Sequence, residues 1–291
     1  MADTAISINP DKCRRDGLCV RICPKVFSAG TQDTVPVAER PQFCNGCGHC
    51  LLICPAGAIE LRDIAADRIH TIQSSLLPSF EQVREMIRAR RSIRNFLEKR
   101  VSQECIDRII DAARLAPSAK NMQSTRFTII EDPAVLNSIA VTTAQWLGRS
   151  ARKLRNPVIR SLYLIRGMAT KDDLERWVGQ YELTAQNMKK GMDTILYKAP
   201  LLILFHAGRK VRFAEANANL ALQNATFAGQ ALGIGSFYTG YVVSACTYEK
   251  TIPDMLRIPR DHRVYAGLAM GHPRITFDRW IDRTKNDRET L

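Results

Sequence analysis

The stretch Cys44-Asn45-Gly46-Cys47-Gly48-His49-Cys50-Leu51-Leu52-Ile53-Cys54-Pro55 decides the fold of the first part of the chain. Its spacing is C-x2-C-x2-C-x3-C-P, in which three thiolates can surround one corner of an iron–sulfur cubane while the fourth points away from it. The proline ends the short helix, because it has no N–H and a fixed φ. Zinc more often uses two C-x2-C pairs separated by a longer loop. The pattern therefore favours an iron–sulfur cluster over zinc.

A second run with the same frame precedes the first. It reads Cys13-Arg14-Arg15-Asp16-Gly17-Leu18-Cys19-Val20-Arg21-Ile22-Cys23-Pro24, with Asp16 where the second cysteine is expected. Residues 1–62 thus resemble a two-cluster (4Fe-4S) ferredoxin domain, in which the last cysteine of each run serves the other cluster. The resemblance implies one ligand set of Cys44, Cys47, Cys50 and Cys23, and another of Cys13, Cys19, Cys54 and Asp16.

Two interpretations of Asp16 stay open at this point. A carboxylate is a harder and weaker iron ligand than a thiolate, so this corner would be labile and the cluster could be [3Fe-4S]. Alternatively, Asp16 is a solvated loop acid that binds no iron.

The length and the cysteine usage limit the class of protein. With 291 residues the chain can form a small domain and a second one of about 200 residues. Seven of its nine cysteines lie in the two runs. The other two, Cys105 and Cys246, have apolar neighbours and are interpreted as core residues. Clusters and free thiols indicate a reducing compartment. The absence of a signal pattern or of an 18-residue apolar run predicts a soluble, cytoplasmic protein.

The charge is unevenly distributed. Residues 1–74 hold 8 Lys+Arg and 8 Asp+Glu, so the net charge of +13 comes from residues 75–291. Seven thiolates around two cluster cores of about +2 each would give the small domain a net charge of about −3. A basic second domain could attract a phosphorylated cofactor or an acidic donor protein. Nucleic acid is the rival partner, but the sequence has no nucleic-acid-binding motif.

The first domain is predicted to contain two copies of a loop–helix–strand unit. Strands are expected at residues 5–9, 34–38 and 58–61, and a helix at residues 17–23. Such a small domain has little apolar core, so the clusters are expected to stabilise it. Residues 63–80 are interpreted as a linker, followed by a second domain over residues 81–291.

The second informative stretch is Arg90-Arg91-Ser92-Ile93-Arg94-Asn95-Phe96, at the end of a helix predicted over residues 80–91. Three arginines and a hydroxyl can hold a phosphate group, although a basic helix end is commonly just solvated. Ser102 then caps a predicted helix from residue 103 to about 116. After it come Ala116-Pro117-Ser118-Ala119-Lys120-Asn121-Met122-Gln123 and a strand predicted over residues 126–131.

In combination these motifs resemble the start of the nitroreductase family of FMN enzymes. The resemblance implies an α+β domain with a central mixed sheet flanked by helices, and a homodimer. It implies that Arg90, Arg91, Ser92 and Arg94 hold the FMN phosphate and ribityl chain. Asn121 would hydrogen-bond the flavin ring, and Gln123 of the same motif is assigned to this site. The family often has a proline–aromatic pair after this glutamine, where this chain has Ser124-Thr125.

Later segments continue the resemblance. Residues 233–241 lack the third glycine of a dinucleotide motif and follow a helix, so a Rossmann unit is rejected. They resemble the family's strand beside the flavin, which implies that Tyr238, Thr239 and Gly240 lie near N5. After the turn Gly271-His272-Pro273, Arg274 and Arg279 are the candidates to complete the phosphate site, with Arg283 as a third. The tail from Phe277 onward is expected to reach a partner subunit.

The remaining segments carry weaker signals. Residues 141–198 resemble the family's variable insertion, and their aromatic residues form either a lid over the flavin or the packing of a helix pair. Residues 200–206 predict a buried strand ending in a structural histidine, His206. A long helix is expected over residues 213–232 and a last strand over residues 264–270.

The sequence thus predicts an FMN-dependent oxidoreductase in which iron–sulfur clusters pass electrons to FMN. The acceptor would be a small aromatic or conjugated molecule, and the donor a ferredoxin, a flavodoxin or NAD(P)H. No nucleic-acid or membrane partner is expected. The alternative is an electron-transfer module of a larger complex without its own substrate. A regulator that senses iron or oxygen through the Asp16 cluster is a third reading.

Overall fold

A computed structural model describes residues 6–28 and 34–284 of the chain. The chain divides into two compact units. The first contains the residues up to Pro78 together with Ser118–Met122, and the second contains Ser79–Pro117 and the residues from Gln123 onward. No helix in the described ranges is long and apolar enough to cross a bilayer.

The first unit has a pseudo-repeat of short elements. Strands β1 (Ile6–Ile8) and β2 (Ile59–Leu61) pair antiparallel, with Ile6 opposite Leu61. Helices α1 (Leu18–Ile22) and α2 (His49–Ile53) each follow a cysteine run. Both start after a glycine in the left-handed region, Gly17 with φ 69° and Gly48 with φ 75°. The two glycines are 31 positions apart, so the two runs share this conformation at the start of each helix.

The strand predicted over residues 34–38 is wrong. Only an isolated bridge between Ser28 and Val37 forms there. Pro36 interrupts this segment, and a proline cannot donate to a strand ladder. The strand predicted over residues 5–9 is confirmed for Ile6–Ile8, while Ala5 lies outside the described residues.

The apolar core of the first unit is small. Its buried members are Cys19, Val26, Phe27, Cys50, Ile59 and Leu61. Two of these six are cysteines of the motif runs, so the centre of the unit consists partly of thiols. This agrees with the expectation that bound clusters stabilise the domain.

The second unit contains a four-stranded sheet in the order β3-β4-β6-β5. The strands are β3 (Arg126–Ile130), β4 (Leu201–Gly208), β5 (Gly235–Tyr238) and β6 (His262–Gly271). All three strand pairs are antiparallel, whereas the sequence led us to expect a mixed sheet. Parallel pairing occurs beyond the edge strand, in a bridge from Ser92 to Ser236.

In the described residues the second unit also contains eight α-helices. Their bounds are α3 (Phe80–Ala89), α4 (Gln103–Arg114), α5 (Pro133–Arg155), α6 (Pro157–Ile165), α7 (Lys171–Lys189), α8 (Ala214–Ala231), α9 (Gly240–Tyr248) and α10 (Thr251–Met255). The alternation of side chains along β4 assigns them to two layers. Leu201, Ile203 and Phe205 pack with α4 and α8, whereas Leu202 and Leu204 pack with α5 and α9.

The aromatic residues of the 141–198 segment are largely packed between helices. Tyr163, Trp177 and Tyr181 lie against a cluster formed by α5 and α7 that includes Leu154 and Leu174. Trp146 stacks on Tyr248 with ring centroids 5.8 Å apart. This arrangement supports the helix-packing interpretation for these residues.

Candidate active site and cluster site

The cysteines of the first unit form two electrostatic groups. Burial raises the pKa of the Cys50 thiol to about 11, and the neighbouring thiols of Cys44, Cys23 and Cys47 raise it as well. Burial likewise raises the pKa of Cys19, and so do Cys13 and Asp16. Cys23 therefore lies near the thiols of the second run, and Asp16 lies near Cys19 within the first run. The two ligand sets that the resemblance implies stay a prediction.

Backbone amides point at two of the sulfurs. Gly46 N–H donates to Cys44 Sγ and Ala58 N–H to Cys54 Sγ, each at 3.4 Å. Hydrogen bonds to cluster sulfurs adjust reduction potential. In residues 6–28 and 34–284, no group of three or more His, Cys, Asp or Glu has the arrangement of a site for a single metal ion. A cubane cluster needs a different arrangement, because each of its thiolates binds a different iron.

Asp16 occupies the position that Cys47 has in the other run. Its side chain is exposed, and its Oδ1 accepts a hydrogen bond from the Leu18 N–H at 3.1 Å. This contact supports the start of α1 and also fixes the carboxylate beside Cys19. Both interpretations of Asp16 are compatible with this geometry.

The segment from Arg90 to Arg94 runs along the edge strand β5. The Ile93 N–H donates to the Ser236 carbonyl at 3.0 Å, next to the Ser92–Ser236 bridge. Gly235 permits this approach, since a Cβ there would lie 2.7 to 3.0 Å from side-chain atoms of Ile93. The first arginine motif is thereby aligned with the glycine-rich strand.

A cavity of about 180 Å³ lies beside Arg90 and the first residues of β5. We call it the Arg90 cavity. Its polar lining includes Arg90, Arg91, Ser236 and Gln230. Within the described residues, the buried Oε1 of Gln230 has no hydrogen-bond partner. Arg91 is engaged elsewhere, because its guanidinium donates to the carbonyl oxygens of Arg88, Arg90 and Arg279. Arg90 is therefore the better candidate to meet a ligand anion.

A second cavity of about 450 Å³, the Arg94 cavity, lies at the other end of β5. It brings together Arg94, Tyr238, Thr239 and Gly240, four of the residues assigned to the flavin. Its volume falls within the usual range for small-molecule and cofactor sites. The Arg94 guanidinium lies over the rings of Phe237 and Tyr197, 5.4 and 5.9 Å from their centroids.

Two threonines that line the Arg94 cavity, Thr194 and Thr239, have buried hydroxyls. In the described part of the chain, Thr194 Oγ1 and Thr239 Oγ1 are buried without a hydrogen-bond partner. Burying a hydroxyl without a partner is costly. Both residues line the cavity, and a flavin ring, with its carbonyl oxygens and nitrogens, would supply partners. The residues present therefore fit FMN.

Two of the three tyrosines that line the Arg94 cavity, Tyr238 and Tyr241, are kept neutral. Burial raises the pKa of Tyr238, with Glu215 contributing, and burial together with Tyr197 raises the pKa of Tyr241. The Tyr238 hydroxyl donates to the Tyr265 carbonyl at 3.4 Å. Neutral phenols can stack or donate hydrogen bonds without adding negative charge beside an electron-accepting ring.

Asn121 belongs to the first unit, whereas Gln123 belongs to the second. The Asn121 side-chain amide donates to the carbonyls of Asn45 and Gly46 at 3.3 and 3.0 Å. Lys120, Asn121 and Gln123 all have positive φ, between 45° and 53°. Such backbone strain is concentrated at functional sites. The flavin contact assigned to Asn121 and Gln123 stays a prediction.

The C-terminal arginines do not line either cavity. Pro273, Ile275, Thr276 and Phe277 reach the Arg90 cavity, but Arg274 and Arg279 are not among its lining residues. The Arg279 side chain is 93% exposed. Arg283 is also exposed, and residues 285–291, which include part of the tail expected to contact a partner, lie outside the described residues.

Sequence reasoning missed Thr194, Tyr197 and Gln230. The first two lie in the 141–198 segment, where no motif distinguished them from helix-packing residues. Gln230 lies on α8, for which the sequence predicted only a long helix. A polar residue at a buried helix position is the only signal that could have identified Gln230.

His206 and the two remaining cysteines behave as expected. His206 is 5% exposed, with Nε2 3.1 Å from Thr128 Oγ1 and Nδ1 2.8 Å from His262 Nδ1. This confirms a structural histidine. Burial raises the pKa of Cys246 to about 12, so this thiol is protonated at neutral pH, and Cys105 packs against the core.

Comparison with known proteins places these features in context. The model described as nitroreductase family matches residues 87–272, and the 4Fe-4S dicluster domain model matches residues 5–55. A protein of Archaeoglobus fulgidus, provisionally named NADH dehydrogenase/NAD(P)H nitroreductase, is 25% identical over 212 residues, covering 72% of this chain and 96% of the relative. An FMN reductase [NAD(P)H] of Bacillus subtilis is 25% identical over 63% of this chain and 62% of its own length.

Solved structures agree in fold. An FMN-bound nitroreductase of Desulfitobacterium hafniense superposes with a TM-score of 0.55 at 16% identity, covering 73% of this chain and all of that one (100%). An FMN-bound nitroreductase of Bacteroides fragilis gives a TM-score of 0.53 at 20% identity, covering 72% and 99%. At these identities the likeness shows the fold alone.

The fold and the site thus define an oxidoreductase with an N-terminal 4Fe-4S dicluster domain. The chain belongs to the nitroreductase family, since the family model spans more than half of it.

Proposed function

We propose that this protein uses FMN to reduce a small aromatic or conjugated acceptor with electrons supplied by its iron–sulfur clusters. The observation that carries the proposal is the Arg94 cavity, where two unpartnered buried hydroxyls and a cation meet at the end of β5. Bound FMN would supply electron chemistry, accepting electrons singly and releasing them in pairs.

The chain's own residues would bind and orient the cofactor. Arg90 is proposed to hold the phosphate because it lines the Arg90 cavity. Ser92, in the same segment, is proposed to assist it. Arg94, Thr194 and Thr239 are proposed to bind the polar edge of the ring at the other end. A cation close to the ring would stabilise negative charge that develops on reduction.

The aromatic walls support the proposed acceptor class. Tyr238 is 45% exposed and lines the Arg94 cavity together with Tyr197 and Tyr241. Aromatic side chains favour planar ligands through stacking. A homodimer is part of the proposal, as family members are typically dimers.

The clusters are proposed to be the entry point for electrons. The two thiol groups around Cys50 and Cys19 support two clusters, and the cluster beside Asp16 is proposed to be either [4Fe-4S] or [3Fe-4S]. The external donor would be a ferredoxin, a flavodoxin or NAD(P)H.

Anaerobic purification followed by iron, sulfide and flavin assays tests the composition. Titration with reduced ferredoxin, and separately with NADH, then tests the electron route. We expect reduced ferredoxin to bleach both the cluster and the flavin absorbance. If NADH bleaches the flavin while reduced ferredoxin leaves it oxidised, the proposed route is wrong. Co-purification with a redox partner and no turnover of soluble acceptors would favour an electron-transfer module instead.

Arg94→Ala tests the ring site. We expect it to lower FMN affinity by about tenfold or more, since it removes a charged donor from the cavity. Arg100→Ala is the matched control, because Arg100 is exposed and does not line the cavity. Flavin retained after gel filtration and the dissociation constant for added FMN are the measurements. Equal FMN affinity in the two variants would contradict the assignment of Arg94.

A further inference from the structure

A third cavity in the second unit is separate from the proposed flavin site. It measures about 350 Å³ and lies between the C-terminal end of α9, helix α10 and the start of β6. We call it the Arg263 cleft. Helix α9 begins in the Arg94 cavity at Gly240 and ends in this cleft at Tyr248. None of the residues that line the cleft lines the Arg90 or Arg94 cavities.

The lining of the cleft is strongly basic. Four cations, Arg209, Lys250, Arg260 and Arg263, line it together with two carboxylates. One of these carboxylates, Glu249, is ion-paired with Arg149 at 2.6 Å. In the described residues none of the four cations forms a salt bridge, which leaves Asp254 as the single unpaired acid against them. Such an excess of positive charge in a concave site attracts anions.

One wall of the cleft is held rigidly. His262 lines the cleft, and its Nδ1 is 2.8 Å from Nδ1 of the buried His206. A break in strand register between Phe205 and His206 accompanies this contact. His206 is anchored in turn by Thr128 on β3. The imidazole of His262 is thus fixed in place, and a ring held in one orientation binds with less entropic cost.

A flat aromatic surface borders the charged groups. Tyr248 lines the cleft, and its ring is nearly parallel to that of Trp146, with an interplanar angle of 6°. Even so, Tyr248 remains 73% exposed. A ring supported on one side and accessible to solvent can stack on a planar group.

From these features we infer that the Arg263 cleft binds a small phosphorylated ligand. The phosphate would be held by Arg260 and Arg263, which can form bidentate hydrogen bonds to phosphate oxygens. Two sources share this chemistry: a mononucleotide, whose base would stack on Tyr248, and free inorganic phosphate. The inference does not depend on the proposed electron route.

Isothermal titration calorimetry on the intact, flavin-saturated protein tests the inference. The probes are AMP, inorganic phosphate and adenosine, in a buffer without phosphate. We expect at least one phosphorylated probe to bind with one site per chain and adenosine to bind at least tenfold more weakly. AMP binding at least tenfold tighter than phosphate identifies a nucleotide site, while equal affinities identify a site for free phosphate.

The double variant Arg260→Gln/Arg263→Gln tests the location. We expect it to weaken binding of the phosphorylated probe at least about tenfold, because two charged donors are lost. Arg257→Gln is the control, since Arg257 lies in the same loop as Arg260 and carries the same charge but does not line the cleft. Circular dichroism and flavin content check that each variant is folded.

Three outcomes would overturn the inference. The first is no binding of AMP or phosphate to the unmodified protein at millimolar concentrations. The second is adenosine binding as tightly as AMP, which would exclude phosphate recognition. The third is an equal loss of affinity in the double variant and in Arg257→Gln. For a nucleotide site, Tyr248→Ala should also weaken AMP binding while leaving phosphate binding unchanged.

Discussion

Gly235 shows how the absence of one side chain determines the geometry of the site. The arginine segment can lie against β5 only because nothing projects from Gly235 toward Ile93. We expect Gly235→Ala to lower the free energy of unfolding by about 1–3 kcal/mol through overpacking, and to reduce flavin content. Urea denaturation and flavin absorbance measure the two effects.

A second glycine provides the control for this prediction. Gly179 lies inside α7, and a Cβ added there would meet nothing within 4 Å. Gly179→Ala should therefore stabilise the protein by about 0.5–1 kcal/mol, because alanine loses less backbone entropy in a helix. If both alanines shift stability in the same direction, the steric explanation for Gly235 is wrong.

His206 makes the stability of the protein sensitive to acid. Burial, together with electrostatic interactions with the neighbouring His262 and Arg126, lowers the pKa of His206 from 6.5 to about 4. As the pH falls from about 6.5 toward 4, the unfolded chain binds a proton that the folded chain does not bind. The free energy of unfolding should therefore decrease across this window and lose this dependence below pH 4.

Comparison with His206→Gln isolates this contribution. Glutamine can still hydrogen-bond Thr128, but it does not titrate, so the variant should lose less stability between pH 6.5 and 4 than the unmodified protein does. Carboxylates titrate in both proteins and cancel in the difference. Chemical denaturation at a series of pH values gives the two profiles, and parallel profiles would exclude His206 as the source.

Among the elements, α5 depends on a single cap at its start. Asp132 Oδ1 accepts hydrogen bonds from the Ala134 and Val135 N–H groups at 2.8 and 3.2 Å. We expect Asp132→Ala to lower the free energy of unfolding by about 1 kcal/mol. Glu131→Ala removes a neighbouring exposed carboxylate that makes no such contact, and should have little effect. Thermal or urea unfolding of both variants distinguishes the cap from a general charge effect.

Sequence patterns predicted the helices better than the small strands. The apolar spacing of Ile106, Ile109, Ile110 and Ala113 placed α4 correctly, and Ser102 does cap it. These signals are local, since the cap and the buried face lie within one element. The strand predicted over residues 34–38 is wrong because the prediction relied on the alternation of side chains and neglected Pro36. The order and the antiparallel pairing of the strands could not be derived from the sequence either, because both depend on contacts between residues that are distant in sequence.

The candidate site was only partly accessible from the sequence. Motif resemblance identified Arg94 and Thr239, which the fold brings to one cavity. Thr194 and Tyr197 reach the same cavity from a segment without a motif, and no local pattern indicates which residue of a loop faces a ligand. Arg91 was assigned to the phosphate by its type, and its Nη1 and Nη2 groups donate to backbone carbonyls. Its contact with a phosphate stays a prediction.

For the whole molecule, the division into two units predicts independent responses to loss of metal. Among the described residues, the core cluster of the first unit has six buried members, two of them cysteines, so the folding of this unit should depend on its iron–sulfur clusters. The second unit has two extensive apolar layers of its own. Anaerobic removal of iron with a chelator should therefore lower the stability of the first unit and leave the second folded.

Differential scanning calorimetry can measure this separation. Before chelation we expect two transitions, and afterwards the loss or downward shift of one of them. Cys50→Ser should reproduce the effect of the chelator, whereas Cys105→Ser, which alters a thiol outside the cluster runs, should leave the transition of the first unit unchanged. A single transition that responds as a whole to iron removal would contradict independent units.

Arg15 and Gly46 adopt nearly the same left-handed conformation, with φ 57° and 65°, although only one of them is a glycine. An L-residue in this region costs roughly 1–2 kcal/mol, so Arg15 is held there by the path of the surrounding loop and not by its own preference. Matching conformations at equivalent positions of two runs are the expected remnant of an ancestral gene duplication. The inherited backbone would then have tolerated later changes in side chain, including the exchange that left an aspartate at residue 16.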